Sequence, residues 1–550
     1  MRLIERRIGL LFAGFLLCFT IALGRAFWLQ GVQGSELASQ AVSQQQETVT
    51  VPGLRGRILD RHGRELAVSE DAATIYATPY QVKRPGRTAA KLAGILGQPV
   101  PEVRRAITAD SGFSYVARKV DLATAQRIAD EKLPGIGQLP DSRRSYPQGA
   151  LAGQVIGAVG VDNQALTGLE AGEDGVLHGT DGERQVVMDA LGEPIRLQTV
   201  KDASDGGDIQ LTIDSAIQAE TEKVLASVGA TYAPKGATAI VMDPRSSEVL
   251  AMANWPPVDP SDLSSASSED LLNRATGFTY EPGSTFKAFT VSAALEKGLV
   301  TPDTAFTLPP TLQVADRTIS DAEARPTETM TVAQILAQSS NIGAVTIGLE
   351  LGAKRFSRWI ARFGFGRPTG VQFPGEERGI VPPLASYSGS TMGNLPMGQG
   401  LSVTPMQMIA GYAAIADGGI LRPPRLIEKV NGRPVHEPRG RRVVDPRVAA
   451  EVRTMLEGVL APGGTASEVS VPGYTLAGKT GTAQVAENGT YSETKYVASF
   501  IGFAPAQDPK LLVAVIVDQP QGDIYGGSVA APAFGEIAKF ALPYLGIAPR

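Results

Sequence analysis

Cysteine is almost missing from this 550-residue chain, where Cys18 stands alone. One thiol rules out an intramolecular disulfide and any metal site built from cysteines. Histidine is nearly as scarce: His62, His178 and His436 lie far apart and form no ligand-like pair. Neither zinc nor any other cofactor is therefore expected, and a serine hydrolase here would be short of histidine bases. There is no long basic run and the net charge is −5, which argues against nucleic acid as a partner. Hydrophobic residues make up 43% and charged residues 19%, a composition that supports a real core. The 61 glycines and 38 prolines imply many loops but fall short of disorder. The length calls for two or three domains.

Only one apolar stretch is long enough to cross a membrane. It runs from Ile8 to Gly24, is broken by Arg25 and continues through Ala26, Phe27, Trp28 and Leu29. Spanning helices need roughly 17–25 residues, and Arg2, Arg6 and Arg7 place the N-terminal end in the cytoplasm. A cleaved signal peptide is the competing reading, with Ala22-Leu23-Gly24 as a poor cleavage site. The run exceeds the usual signal core of about 7–15 residues, so an uncleaved anchor over residues 1–30 is expected. The rest of the chain then lies outside the cytoplasm.

Residues 31–207 read as a mixed α/β region. Gln30 to Gln46 is polar and alanine-rich, a helical continuation or stalk. Val49-Thr50-Val51 and Arg57-Ile58-Leu59-Asp60 alternate as strands, Asp60 to Arg64 is a turn, and Ala123 to Lys132 has helical periodicity. Nothing there has catalytic spacing, so a structural or partner-binding role is expected. Residues 208–550 begin a second domain near Gly206-Gly207. Asp214 can cap a helix reaching Gly229, and strands follow at Ala237–Met242 and Glu248–Ala253 around an Asp243-Pro244-Arg245-Ser246 turn. Helices extend to about Gly364. Three strands, Thr475–Val485, Tyr496–Phe503 and Leu511–Val517, and a helix from Pro532 to Leu542 close the chain. The order predicts an α+β fold, an antiparallel five-stranded sheet flanked by helices.

Within that domain, Glu281-Pro282-Gly283-Ser284-Thr285-Phe286-Lys287 reads as a loop feeding a helix that continues to Leu295. Lys287 is the only charge from Ser284 to Leu295, and a helix apolar on nearly every side belongs inside a domain. A lone buried ammonium tends to lose its proton. Spacing puts Ser284 and Lys287 on one helical face, a nucleophile beside a neutral base. Ser-x-x-Lys alone is a weak signal, because serine before a helix is usually a cap. A second copy, Ser492-Glu493-Thr494-Lys495, reads as a solvated turn after Asn488-Gly489.

Two further motifs strengthen the first copy. Ser339-Ser340-Asn341 interrupts two helices, the earlier opened by a Thr331–Gln334 capping box. Lys479-Thr480-Gly481-Thr482 lies in a strand, where glycine weakens pairing unless something must approach the backbone closely. An exposed strand edge with Lys479 and the hydroxyls of Thr480 and Thr482 suits a substrate carboxylate, with the peptide added like an extra strand. Ser-x-x-Lys, Ser-x-Asn and Lys-Thr-Gly in this order mark penicillin-binding proteins and class A β-lactamases.

The chain resembles class B penicillin-binding proteins, membrane-anchored peptidoglycan D,D-transpeptidases, over almost its whole length. Arg55-Gly56-Arg57-Ile58-Leu59-Asp60-Arg61, Arg143 to Pro147 and Gly168-Leu169-Glu170 are similar to motifs of the family's N-terminal pedestal. Gly398 to Pro405 and Tyr525-Gly526-Gly527 are also similar to family motifs. The absence of a glycosyltransferase segment and the Lys-Thr-Gly-Thr-Ala run look most like the septal subgroup, although elongation members share the motifs. The resemblance implies Ser284 as nucleophile, Lys287 as base, Ser339 as proton relay and Asn341 as the partner of Lys287 and a substrate amide. It implies an oxyanion hole from the N–H groups of Ser284 and Thr482, and carboxylate binding by Lys479, Thr480, Gly481 and Thr482. Stem peptides and β-lactams would be ligands, and a membrane glycan polymerase and divisome proteins partners. A β-lactamase would need a carboxylate to activate deacylating water, and no convincing loop supplies one. A non-catalytic sensor would not need Lys287, Asn341 and Lys479 intact.

Overall fold

The computed structural model describes residues 2–33, 35–36, 46–188, 194–487 and 489–549. Most of the stalk expected from Gln30 to Gln46 lies outside these residues, as does Asn488 of the expected turn. Arg2–Phe27 forms one α-helix, and the 29-residue stretch Ile4–Val32 is long and apolar enough to cross a membrane. Its side chains, Leu10 and Phe15 among them, are exposed. Such a helix fits a single-pass membrane anchor.

The chain contributes alternately to two compact units. Met1–Leu54, Asp71–Arg143 and Gly179–Gly206 make the first; Arg55–Glu70, Arg144–His178 and Gly207–Arg550 make the second. In the first unit, Gly182–Met188 is the middle strand of a three-stranded antiparallel sheet between Gln46–Val51 and Pro194–Lys201. A separate core gathers Ile75, Leu92, Val103, Ile107 and Ile128 from one strand and three helices. One of those helices is Leu122–Asp130, where periodicity placed it, with the Asp121 carboxylate accepting from Thr124 N–H at 2.8 Å.

The second unit collects the pedestal motifs around one buried carboxylate. Glu170 pairs with Arg144 Nε at 2.7 Å and with Arg55 Nε, while Arg55 also reaches Asp174 at 2.5 Å. Arg144 Nη1 donates to Gly56 O at 2.8 Å. Removing one partner of a buried ion cluster strands the others without compensation. Glu170→Ala should therefore cost about 3–5 kcal/mol in denaturant unfolding. A loss below ~1 kcal/mol would show that the two arginines find other partners.

The rest of the second unit is built on a sheet. Asp214 caps α1 (Ser215–Tyr232), accepting from Ala216 and Ile217 N–H at 3.0 and 3.3 Å. Strands β1 (Gly236–Met242) and β2 (Val249–Trp255) follow. Helices α2 (Lys287–Glu296), α3 (Val332–Ala337), α4 (Asn341–Leu351), α5 (Pro405–Ala416) and α6 (Pro446–Glu457) come next. Strands β3 (Ala477–Glu487), β4 (Thr490–Ala504) and β5 (Leu511–Asp518) then precede α7 (Ala531–Tyr544). The five strands are antiparallel in the order β2-β1-β5-β4-β3, which leaves β3 at an edge.

Alternate residues of β1 enter different cores. Ile240 and Met242 join the core that holds α2 and α5, whereas Ala239 and Val241 join α1 and α7. Both faces are thus covered, and the central strands read as continuous apolar runs. The α+β class and its five antiparallel strands are as expected. The region expected to be helical to Gly364 also contains short strands: Leu312–Val314 pairs with Arg317–Ile319, and Ala305–Leu308 with Glu328–Thr331. Their three or four residues carry too little alternation to be read.

Candidate active site

Ser284 does not open an α-helix as expected. It sits on a 3-10 turn, Gly283–Phe286, that runs into α2 at Lys287. Gly283 takes a φ of +51°, and Thr285 Oγ1 donates back to Pro282 O at 2.7 Å, which tightens the turn. Gly283 N–H donates to Gly398 O at 2.9 Å, and the buried Tyr412 hydroxyl donates to Thr285 O at 2.6 Å. The strand glycine of the third motif completes this seat. A Cβ at Gly481 would lie 2.4 Å from Ser499 Oγ, 3.0 Å from Thr285 Cγ2 and 3.1 Å from Pro282 O. The close approach expected at Gly481 is therefore made by the chain itself.

Lys287 is fully buried on α2, as the apolar helix required. Its Nζ donates to Ser339 O at 2.5 Å, to Ser339 Oγ at 3.2 Å and to Asn341 Oδ1 at 2.7 Å. None of these bonds goes to Ser284, so the amine is turned onto the second motif. Burial pushes Lys287 down to about 7, with the Asp321 carboxylate opposing that fall and Arg325 adding to it. Ser339 has a φ of +61°, a left-handed break between α3 and α4 that aims its carbonyl at the lysine. Ser340 caps α4, its Oγ accepting from Gly343 N–H at 3.0 Å. The Thr331–Gln334 capping box is present as read.

Ser284, Ser339, Asn341, Thr480 and Thr482 line one cleft of about 1290 Å³. Lys479 departs from expectation. Its strand is at the sheet edge, but its side chain is fully buried rather than exposed. Nζ donates to Thr480 O at 3.3 Å, and among the described residues no acid forms a salt bridge with it. Burial first, then the neighbouring Lys287, hold its amine well below the usual lysine range. Segments elsewhere in the chain meet the two threonine hydroxyls of the motif. Thr480 Oγ1 lies 2.7 Å from Thr465 Oγ1, and Gly526 N–H donates to Thr482 Oγ1 at 3.1 Å.

The second Ser-x-x-Lys copy is solvated but is not a turn. Ser492 to Lys495 lie in β4, where Lys495 pairs with Glu487 at 2.6 Å. Other groups near the serine turn had no role read for them in the sequence. Glu281 accepts from Gly400 N–H and from the Tyr491 hydroxyl, both at 3.0 Å, and burial raises its carboxyl above the usual range. Arg317 stands 5.4 Å from the Tyr491 ring centre and lines the cleft. Arg317 and Tyr491 lie in no motif, and a lone arginine or tyrosine in a polar stretch gives no signal.

A serine turn seated against the edge strand of this sheet, with a buried lysine beside it, is a site for acyl transfer. A family model of the penicillin binding protein transpeptidase domain matches residues 237–539, and one of the penicillin-binding protein dimerisation domain matches residues 50–211. The chain belongs to the class B penicillin-binding proteins. Peptidoglycan D,D-transpeptidase FtsI of Escherichia coli is 35% identical over 555 residues, covering 99% of this chain and 93% of that one. Stage V sporulation protein D of Bacillus subtilis is also 35% identical, over 97% of this chain and 84% of its own. The crystal structure of penicillin binding protein 3 from Mycobacterium tuberculosis, complexed with aztreonam, superposes with a TM-score of 0.72 at 30% identity. It covers 91% of this chain and 98% of that chain.

Proposed function

We propose that this protein is a peptidoglycan D,D-transpeptidase of the septal type that works through an acyl-enzyme on Ser284. The observation that carries this reading is Lys287: a lysine near neutrality, held by Ser339 and Asn341, one helical turn from a serine that opens into the cleft. Ser284 Oγ attacks the carbonyl carbon between the two terminal D-alanines and passes its proton to Lys287. The C–N bond then breaks, and Ser339 relays a proton to the departing D-alanine amine. An amine from a neighbouring stem displaces Ser284 and forms the cross-link. The N–H groups of Ser284 and Thr482 hold the oxyanion, each such donor being worth roughly 10²–10³ in rate.

Lys479, Thr480, Gly481 and Thr482 receive the terminal carboxylate. A carboxylate beside Lys479 supplies the opposite charge that its buried amine lacks, and so restores its proton. Residues 1–30 anchor the protein with its N-terminus in the cytoplasm, residues 31–207 form the pedestal and residues 208–550 the transpeptidase domain. A membrane glycan polymerase and division proteins are its partners in this reading. The septal role is supported by the relative named FtsI.

The purified protein should release D-alanine from a stem pentapeptide and hold a penicilloyl adduct for hours. Rapid hydrolysis of penicillin would make it a β-lactamase instead. In the same assay Lys479→Ala should slow acylation by peptide and by penicillin about ten- to a hundredfold, the loss of one charge-assisted hydrogen bond. Depletion should give filaments, whereas round cells would assign the elongation role.

A further inference from the structure

The segment Ser320–Arg325, outside every motif, grips the Ser339–Asn341 break from both sides. Asp321, almost fully buried, accepts from Asn341 N–H at 2.5 Å and from Ile342 N–H at 3.0 Å. Ser340 Oγ also donates to Asp321, at 2.9 Å, while accepting from Gly343. A carboxylate from another part of the chain thus satisfies the first free N–H groups of α4, and it sits where the helix dipole favours an anion. Next to it, Ser320 O accepts from Asn341 Nδ2 at 2.9 Å. That bond fixes which end of the amide faces Lys287, since only Oδ1 can accept from the amine. On the other side of the break, Arg325 donates to Gln338 Oε1 at 2.8 Å and to Gln338 O at 3.2 Å.

We propose that Asp321 is a positioning residue for acylation, holding Ser340 and Asn341 so that Asn341 stays on Lys287, and setting a negative charge near its amine. This rests on the reading of Lys287 as the base. The charged groups that act on Lys287 are Asp321 and Arg325 from this segment, and Lys479 of β3 is a neighbouring amine. Asp321 is the one anion among them, so it alone opposes the loss of the proton. Without its charge, Lys287 is free of its proton at a lower pH.

The test is the rate of acylation by a fluorescent penicillin against pH. Asp321→Asn keeps an acceptor for Asn341 and Ile342, and the Ser340 hydroxyl can turn to accept from the new amide, so the fold is retained. Its acid limb should move to lower pH than that of the unsubstituted protein. Asp321→Ala, which also frees the start of α4, should acylate on the order of tenfold or more slowly. A limb unmoved in Asp321→Asn overturns the inference and leaves Lys287 standing as base. Absence of any acid limb in the unsubstituted protein would instead sink the base itself.

Discussion

Ser284→Ala should abolish covalent labelling by penicillin, and Ser492→Ala should leave it intact. The two serines share a Ser-x-x-Lys spacing and nothing else. On a helical turn, positions three apart fall on one face; on a strand they face opposite sides. Ser492 and Lys495 occupy β4, and Lys495 is tied to Glu487 in solvent, so no buried amine stands beside that serine. Ser284 opens into the cleft that Ser339 and Asn341 share, and Lys287 sits one turn on. Mass mapping of the penicilloyl peptide checks this directly. An adduct on Ser492 would overturn the site.

Lys287→Arg should fail almost as badly as the loss of Ser284, although it keeps a cation in place. Guanidinium stays protonated at any working pH and cannot accept a proton from Ser284. Loss of general base catalysis costs about 10²–10⁴ in rate. Because the site is fully buried, the larger head could disturb the fold, so Lys287→Met serves as a second variant. It matches the volume of the chain without placing a charge there, and it should fold yet acylate as poorly. In the unsubstituted protein only the neutral amine can act. Acylation should therefore rise with pH through about 7, then level off. Below that value it should fall about tenfold per pH unit. Undiminished labelling in Lys287→Arg, or a rate flat across this range, would remove lysine from the mechanism.

The central strands were legible because burial on both sheet faces writes them as unbroken apolar runs, as in Ala237–Met242. The turns between them carry their own chemistry, as at Asp243-Pro244-Arg245-Ser246. Lys287 was legible for a related reason: one charge in a wholly apolar helix has few explanations. What escaped was set by contacts between distant segments. Lys479 is fully buried beside Lys287, which comes from a helix far earlier in the chain, and no local pattern announces that neighbour. Ser492 to Lys495 read as a turn because this end of β4 is polar and partly exposed on both faces. Asp321 stands in Ser320-Asp321-Ala322-Glu323-Ala324-Arg325, a run indistinguishable from surface loop until Asn341 and Ile342 are found on its carboxylate.

The alternation of the chain between units bears on the order in which it can fold. Arg55–Glu70 and Arg144–His178 belong to the second unit, and Val155, Ile156 and Leu169 are buried in the same core as Phe286 and Tyr412. Synthesis runs from the N-terminus, so these segments leave the ribosome long before their packing partners exist. Contacts so distant in sequence cannot reward the chain until the loops between them close. The second unit must therefore complete its core late and from both ends of the chain, and its early segments spend that interval with apolar surface uncovered.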